Sequence, residues 1–233
     1  MATIPALQQT DTTTSVACHH DTSALNTRLT QIFALRDHVA EERGEIEQFI
    51  QQCFADAYGT HISQFMPRLL SLRSKRGDMI AAFGLRPAAD TRLFLETYLD
   101  QPIETMLQSR LGQDVRREDI IEVGNLSALY PGAARWLIVA LTAMLHDAAY
   151  KWVVFTGTAA LRNGFNRLGL RPVELGAAQL AHLPPSERAA WGSYYDHAPM
   201  VMAGDIAYGY RALLAQCNLA ALLRAGMVSV TGV

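Results

Sequence analysis

The residues that decide the fold are 120–171, IIEVGNLSALYPGAARWLIVALTAMLHDAAYKWVVFTGTAALRNGFNRLGLR. Two short apolar runs in this stretch, Ile120–Val123 and Trp152–Thr156, have the composition of buried strands. Each run is followed by a predicted helix, which spans Ala134–Asp147 after the first run and Ala159–Leu168 after the second. Because a helix joins the two runs, we predict neighbouring parallel strands whose carboxyl ends separate to leave a slot.

The rest of the chain predicts further strands and helices around this unit. In chain order these are a strand at Leu29–Phe33, a helix from Glu41 to Tyr58, an antiparallel hairpin of Leu69–Arg73 and Met79–Leu85, a strand at Arg171–Leu175, a short helix at Ala177–Ala181, a strand at Met200–Ala203 and a helix from Ile206 to Ala225. Residues 93–99 fit either a strand or the start of a helix. A hairpin that leads into a parallel β–α–β pair predicts a mixed α/β sheet with helices on both faces.

Length and composition predict one folded domain at residues 26–233, preceded by a disordered leader at residues 1–25. The leader is rich in Thr, Ser, Gln and Ala and shows no hydrophobic periodicity. It has neither the basic start nor the apolar segment of a secretory signal. The longest apolar stretch, Trp136–Leu145, has ten residues, and a membrane-spanning helix needs about 20. We therefore expect a cytoplasmic protein without a transmembrane segment.

Charge and cysteine content exclude several other classes of function. The net charge is −2, so the overall composition does not indicate a nucleic-acid partner. The three cysteines are widely spaced and form no CxxC pair, which argues against a disulfide framework and against a zinc site. No phosphate-binding loop of the P-loop type and no metal motif is present, so no metal is expected.

A carboxylate on a strand, beside an anion-binding helix start and a second strand, suits acyl transfer from a thioester to an amine. That reaction must deprotonate the amine and stabilise the developing oxyanion. Glu122 interrupts an apolar strand, so burial is expected to raise its pKa and suit it to accept a proton. The alternative is a carboxylate that forms a salt bridge or caps a helix. Gly124, Asn125 and Leu126 follow on this strand as candidate donor contacts, although Gly124 also fits a β-bulge or a strand end.

The start of the helix after Pro131 is a candidate site for the phosphates of the acyl donor. Gly132, Ala133 and Ala134 can present backbone N–H groups to an anion, and Arg135 adds positive charge. A simple helix start is the alternative. Because the loop is poor in glycine, an acyl-carrier-protein donor fits it better than free coenzyme A does. Five basic residues are either its docking surface or ordinary solvated charges: Arg73, Lys75, Arg76, Arg116 and Arg117.

Three further groups of polar residues complete the candidate site. Arg162 and Asn163, at the start of the second helix, are candidate donor contacts. Glu96 and Tyr98 would share one side of a strand by alternation and recognise the acceptor. Four hydrogen-bonding residues precede the last predicted strand; Tyr194 and Tyr195 are candidate acids, and Asp196 and His197 candidate acceptor contacts. A packed aromatic corner is the alternative for this last group.

Several segments in order resemble the thermostable hemolysin family. They are FADAYG (54–59), FMPRLLSL (65–72), AAFGLR (81–86), LFLETYLDQPIE (93–104), IIEVGNLSAL (120–129), WVVFTGTAALRNGFNRLGL (152–170) and WGSYYDHAPMVMAGDI (191–206). That family is similar in pattern to GNAT-type N-acyltransferases and to acyl-homoserine lactone synthases, so the resemblance implies a GNAT-like fold. EVGNL matches the strand that carries an E-x-[SG]-R motif in the lactone synthases, but this chain has Asn125 in place of the arginine. That difference argues against homoserine-lactone synthesis.

Three functional hypotheses follow from these observations. The first is an N-acyltransferase that moves a medium or long acyl group from an acyl-coenzyme A or acyl-carrier-protein thioester to an amine of a small metabolite. The second is a membrane-active lytic protein, which the family name suggests. The third is a catalytically inactive GNAT-like binding module.

Overall fold

The computed structural model describes residues 34–37, 42–215 and 229–230. They form one mixed sheet with the strand order β6-β7-β5-β4-β3-β2-β1-β8. The strands are β1 (Ala34–Asp37), β2 (Arg68–Arg73), β3 (Met79–Pro87), β4 (Ile120–Ala128), β5 (Trp152–Gly157), β6 (Val173–Ala177), β7 (Met200–Asp205) and β8 (Ser229–Val230). The α-helices are α1 (Arg43–Tyr58), α2 (Ile103–Leu111), α3 (Pro131–Asp147), α4 (Ala159–Arg167), α5 (Pro185–Arg188) and α6 (Ile206–Ala215).

Helices cover both faces of this sheet, as predicted. Strand alternation turns Ile121 and Val123 of β4 towards α3, α4 and α6, which pack on one face. It turns Ile120 of β4 towards α2 and Leu69 of β2 towards α1, on the opposite face. Within the described ranges, no helix combines the length and the apolar character needed to cross a membrane.

The predicted parallel pair of strands is confirmed, and its two strands do separate at their carboxyl ends. β4 and β5 pair in parallel from Ile120 with Trp152 to Val123 with Phe155. Beyond Val123, β4 continues to Ala128 beside β3 alone. The register between β3 and β4 shifts at this point, and Asn125 has a left-handed backbone conformation with φ of 52°. Asparagine tolerates that conformation better than most residues, so a bulge in β4 accompanies the opening of the slot.

Some predicted elements differ from those observed. Residues Phe94–Tyr98 form a 3₁₀ helix, so the strand alternation assumed for this segment does not occur. The short helix predicted at Ala177–Ala181 is wrong, because β6 extends to Ala177 and only a 3₁₀ turn follows it. The predicted leader (1–25) and the predicted strand Leu29–Phe33 lie outside the described residues, as does the predicted helix beyond Ala215.

A close approach of Met66 to the sheet fixes the segment beside the bulge. Gly84 and Gly124 are cross-strand partners in β3 and β4, and Met66 lies directly over both. A Cβ atom added at Gly84 would lie 2.3 Å from the Cβ of Met66, and one at Gly124 would lie 2.2 Å from its Cε. Only glycine leaves room for this contact at either position.

Shortening Met66 should therefore restore stability to an alanine variant of Gly124 but not to one of Gly84. Gly84→Ala should lower the free energy of unfolding by about 1–3 kcal/mol, because overpacking strains a close-packed interior. Gly124→Ala should cost less, since the terminal methyl group of Met66 can rotate away. Met66→Ala removes that methyl group but keeps the Cβ, so it should relieve Gly124→Ala and not Gly84→Ala. Urea unfolding of the single and double variants measures this difference, and equal relief of both would contradict the packing.

Candidate active site

A cleft of about 900 Å³ opens where β4 and β5 separate. Its volume is near the upper end of the range for small-molecule sites, which is about 300–1,000 Å³. The cleft has walls on both faces of the sheet. Phe54, Tyr58 and Tyr194 line it on the side of α1, whereas Ile138, Leu141 and Phe165 line it on the side of α3 and α4. The cleft therefore passes between the ends of the two strands from one face to the other.

Glu122 lies in the wall of this cleft, and its side chain is only 3% exposed. Its carboxylate accepts the backbone N–H of Phe94 at 2.9 Å and that of Leu95 at 2.9 Å. These are the first N–H groups of the 3₁₀ helix, so Glu122 caps that helix across the fold. A carboxylate has four lone-pair directions, and these two hydrogen bonds leave acceptor capacity for a ligand.

Burial raises the pKa of Glu122 above its ordinary value. The two backbone N–H groups and the Arg86 guanidinium favour the charged form, but they offset only part of the desolvation. A carboxylate in this environment is a stronger base than one in water. In this one position, the Glu122 side chain can both cap the 3₁₀ helix and accept a proton from a ligand.

Arg86 is a cleft residue that the sequence interpretation missed. It is the cross-strand partner of Glu122, and its Nη1 lies 3.7 Å from Glu122 Oε2. A charged residue just beyond the predicted strand Met79–Leu85 was the available signal. The register between this hairpin and β4 is a tertiary property, however, so the sequence alone could not pair the two side chains.

The tyrosines predicted near the site do come together, but in different environments. Tyr194 and Tyr98 line the cleft, whereas Tyr195 does not; its hydroxyl lies 2.5 Å from that of Tyr98. Burial raises the pKa of all three, that of Tyr195 to about 12. Each therefore stays protonated near neutral pH. Asp196 and His197 are exposed and do not line the cleft.

Of the three tyrosines, Tyr194 is the one whose hydroxyl is free to hydrogen-bond to a ligand, because the hydroxyls of Tyr98 and Tyr195 bond to each other. Its ring packs against those of Phe54, Tyr58, Trp191 and Tyr195, with centroids 5.2–6.2 Å apart. Its hydroxyl makes no hydrogen bond with any residue in the described ranges. The predicted aromatic corner is thus present, and it also supplies one unused donor to the cleft.

Glu96 belongs to a separate buried network outside the main cleft. Its carboxylate accepts the N–H groups of Leu93 and Ile103 and pairs with Arg117 at 2.7 Å. Arg117 also pairs with Glu104 at 2.6 Å. These contacts tie the loop before α2 to the segment that leads into β4, so Glu96 has a structural role in this fold and no contact with the cleft.

The residues at the bulge of β4 line the cleft, and the side chain of Asn125 also forms hydrogen bonds that hold the neighbouring segment in place. Its Oδ1 accepts the N–H of Met66 at 2.9 Å, and its Nδ2 donates to the carbonyl of Gln64 at 3.4 Å. The side chain therefore fastens the segment before β2 to the sheet. Gly124 and Leu126 lie on either side of it in the cleft wall.

The start of α3 has the features of an anion site. Pro131 is the first helical residue, no side chain caps the helix, and its first turn holds no acidic residue. The first backbone hydrogen bond of the helix runs from Ala134 N–H to Tyr130 O, so the N–H groups of Gly132 and Ala133 precede it. Ala134 and Arg135 line the cleft, whereas Gly132 and Ala133 do not, and the buried Nε of Arg135 has no hydrogen-bond partner.

The remaining predicted donor contacts lie elsewhere. Arg162 pairs with Glu174 at 2.9 Å and, like the exposed Asn163, does not line the cleft. Among the proposed docking charges, Arg73, Arg116 and Arg117 are all ion-paired, and these pairs reduce the charge available to a partner. In the described part of the chain, no three His, Cys, Asp or Glu residues are grouped to hold a metal ion.

The raised pKa of Glu122 predicts how Glu122→Gln changes stability with pH. Because the folded protein binds this proton more tightly than the unfolded chain, the contribution of Glu122 is fully present below its ordinary pKa. It is lost as the pH rises through the raised, folded-state value. The glutamine amide accepts from only one of the two N–H groups, which adds a constant cost at all pH values.

Urea unfolding across a pH series measures this effect. The stability advantage of the wild type over Glu122→Gln should be greatest at low pH and shrink as the pH rises. Glu118→Gln, at a side chain 62% exposed, controls for the loss of one carboxylate. An advantage that instead grows with pH would show that the native contacts favour the charged form of Glu122.

Comparison with known proteins shows the family and the fold. No curated protein sequence matches the chain. Among solved structures, the chain resembles TofI in a ternary complex with an inhibitor and MTA, with 14% identity, a TM-score of 0.54, and coverage of 80% of this chain and 99% of TofI. It also resembles FeeM, an N-acyl amino acid synthase from uncultured soil microbes, with 15% identity, a TM-score of 0.52, and coverage of 79% and 98%.

A third similar structure is BjaI, a CoA-dependent acyl-homoserine lactone synthase solved with SAM and isopentyl-CoA. It shows 13% identity and a TM-score of 0.51, with 87% of this chain and 94% of BjaI covered. At these identities the likeness shows a common fold, the GNAT-like mixed α/β fold of acyl-homoserine lactone synthases and related acyltransferases. The thermostable hemolysin family matches residues 37–210, which is more than half of the chain. The protein therefore belongs to the thermostable hemolysin family.

Proposed function

We propose that the protein is an N-acyltransferase that moves a medium or long acyl group from a thioester to the amine of a small metabolite. The observation that carries this proposal is a buried carboxylate, Glu122, in a large cleft between two parallel strands that separate. FeeM and BjaI, which share the fold, are named as an N-acyl amino acid synthase and a CoA-dependent acyl-homoserine lactone synthase.

Glu122 is the proposed base. An acceptor amine is mostly protonated near neutral pH, so it must be bound as a cation and then lose a proton. Burial strengthens the attraction between the carboxylate and an ammonium group and also raises the proton affinity of Glu122. The same side chain can therefore bind the acceptor and activate it.

The acyl donor fits the side of the cleft formed by α3. The open start of this helix and the unpartnered Nε of Arg135 suit a phosphate group. Further along the helix, Ile138, Leu141 and Leu145 give the cleft an apolar wall about two helical turns long, which suits a medium or long acyl chain. Both coenzyme A and the phosphopantetheine arm of an acyl carrier protein carry the required phosphate and thioester.

The reaction forms one amide bond and breaks one thioester bond. Glu122 takes a proton from the ammonium group, and the free amine attacks the thioester carbonyl carbon. As the tetrahedral intermediate collapses, the carbon–sulfur bond breaks and the thiolate leaves. On forming the amide the nitrogen loses its second proton, which the thiolate takes up to leave as a thiol, and Glu122 releases the first proton to solvent. Because the pKa of Tyr194 is raised by burial, this tyrosine is suited to donate a hydrogen bond to the developing negative charge rather than to lose its proton.

The activity of Glu122→Gln tests the proposed base. We expect acyl transfer from an acyl-coenzyme A to amine acceptors to fall by about 10²-fold, the usual scale for a lost general base. The loss should shrink at high pH, where free amine is abundant. Rate measurements from pH 6 to 10, with donor affinity as a control for folding, check this result. Full turnover by the folded variant at neutral pH would restrict Glu122 to its capping role.

A substitution in the first turn of α3 tests the donor site. Gly132→Asp places a negative charge beside the expected phosphate and should weaken acyl-coenzyme A binding by at least about 10-fold. Folding should be unaffected or slightly stabilised, because acidic side chains favour helix starts. Gly44→Asp is a matched control, since Gly44 is also the second residue of its helix, α1, but no residue in the first turn of α1 lines the cleft. Equal donor affinity in both variants, measured by calorimetry, would exclude the start of α3 from the site.

A further inference from the structure

Arg86 is a partly buried arginine whose hydrogen-bond donors are unused, like the Nε of Arg135 at the start of α3. Its side chain is 23% exposed and lines the cleft. The 3.7 Å that separates it from Glu122 is longer than a hydrogen bond. No acceptor in the described residues forms a hydrogen bond with its guanidinium group. Arg86 therefore presents a planar fork of N–H groups to the cleft, beside the proposed base.

Other arginines in this chain show what a structural role looks like. Arg73 donates to both oxygens of Glu45, to the hydroxyl of Ser71 and to the carbonyl of Gly77. Arg117 is similarly saturated by two carboxylates and two backbone carbonyls. An arginine that stabilises the fold is bound on several sides, whereas Arg86 has one loose ion pair. These contacts suit Arg86 to bind a ligand rather than to stabilise the fold.

We propose that the amine acceptor is a zwitterionic α-amino acid, whose carboxylate binds Arg86 while its ammonium group binds Glu122. This inference rests on the proposed acyltransferase function and specifies its substrate class. The two side chains are cross-strand partners on one face of the sheet, so their opposite charges lie next to each other along the cleft wall. An α-amino acid carries the matching opposite charges, separated by one carbon atom.

The surroundings of the pair favour such a ligand. The Glu122 oxygen that faces Arg86 also accepts the N–H of Phe94, whose ring stacks near that of Trp191. Phe94 and Trp191 both line the cleft, together with Tyr98 and Tyr194. These aromatic side chains limit the access of water, which strengthens charge pairing within the site. Arg86 can bind a carboxylate through two parallel hydrogen bonds.

The resulting step is balanced without any further reactant. The amino acid loses one proton from its ammonium group to Glu122, and its nitrogen forms an amide bond with the acyl carbon. The carbon–sulfur bond breaks, and the products are an N-acyl amino acid, a thiol and one proton released to solvent. Arg86 keeps its charge throughout and acts as a substrate-binding residue.

Matched acceptors test this inference. With decanoyl-coenzyme A as donor, we compare phenylalanine, phenethylamine and phenylalaninamide, and likewise leucine, 3-methylbutylamine and leucinamide. The amine is more basic than the amino acid and the amide is less basic, so basicity cannot mimic a preference for the carboxylate. For the wild type, kcat/KM should be about 10- to 100-fold higher for the amino acid than for either analogue, the range for hydrogen bonds to a charged group.

Substitutions of Arg86 complete the test. Arg86→Gln should remove this preference, so that the ratio of kcat/KM for the amino acid to that for its amine falls to about one. Arg86→Lys should retain part of the preference, because it keeps the charge but not the fork. Arg110→Gln, at an exposed residue outside the cleft, controls for the loss of one positive charge.

The outcomes separate this inference from the function on which it rests. If no acceptor is acylated from decanoyl-coenzyme A or from decanoyl-acyl carrier protein, the acyltransferase proposal is wrong. If amines and amino acids are acylated equally well, the function stands and the proposed substrate class is wrong. If Arg86→Gln lowers the rates for all acceptors equally, Arg86 serves Glu122 or the fold, and its role in carboxylate binding is excluded.

Discussion

Because Glu122 accepts the N–H groups of Phe94 and Leu95 inside the protein, its position determines both the packing of the 3₁₀ helix and one wall of the cleft. A buried carboxylate is costly unless hydrogen bonds compensate for the lost water. Here two backbone donors supply part of that compensation, and Arg86 adds only a more distant charge. The arrangement keeps the carboxylate buried and basic without fully occupying its oxygens.

The opening of the cleft depends on how β4 changes partners along its length. It pairs with β5 only as far as Val123, and beyond the bulge at Asn125 it follows β3. Met66 packs against the paired glycines at this point, and the side chain of Asn125 hydrogen-bonds to the backbone of Gln64 and of Met66. The bulge, the glycine pair and the methionine thus stabilise one local geometry, in which β5 is free to diverge.

The local periodicity of the sequence predicted the parallel unit and the hairpin, since these depend on contacts within short segments. The same reasoning could not resolve residues 93–99, because the helix there is capped by a side chain from β4. It also missed Arg86, whose pairing with Glu122 depends on a register that shifts at the bulge. For Glu96, the sequence showed a charged residue in an apolar segment but not Arg117, the partner that explains it. The sequence alone could not predict the role of a residue when that role depends on contacts with residues far away along the chain.

The passage of the cleft through the sheet has a consequence for the order of events in the proposed reaction. The proposed donor side of the cleft is lined by α3 and α4, and the proposed acceptor side lies on the opposite face, near α1 and the 3₁₀ helix. Two substrates that enter from opposite faces do not block each other, and they meet only between the strand ends. Such a site favours a sequential kinetic mechanism through a ternary complex, with direct transfer and no acylated form of the protein.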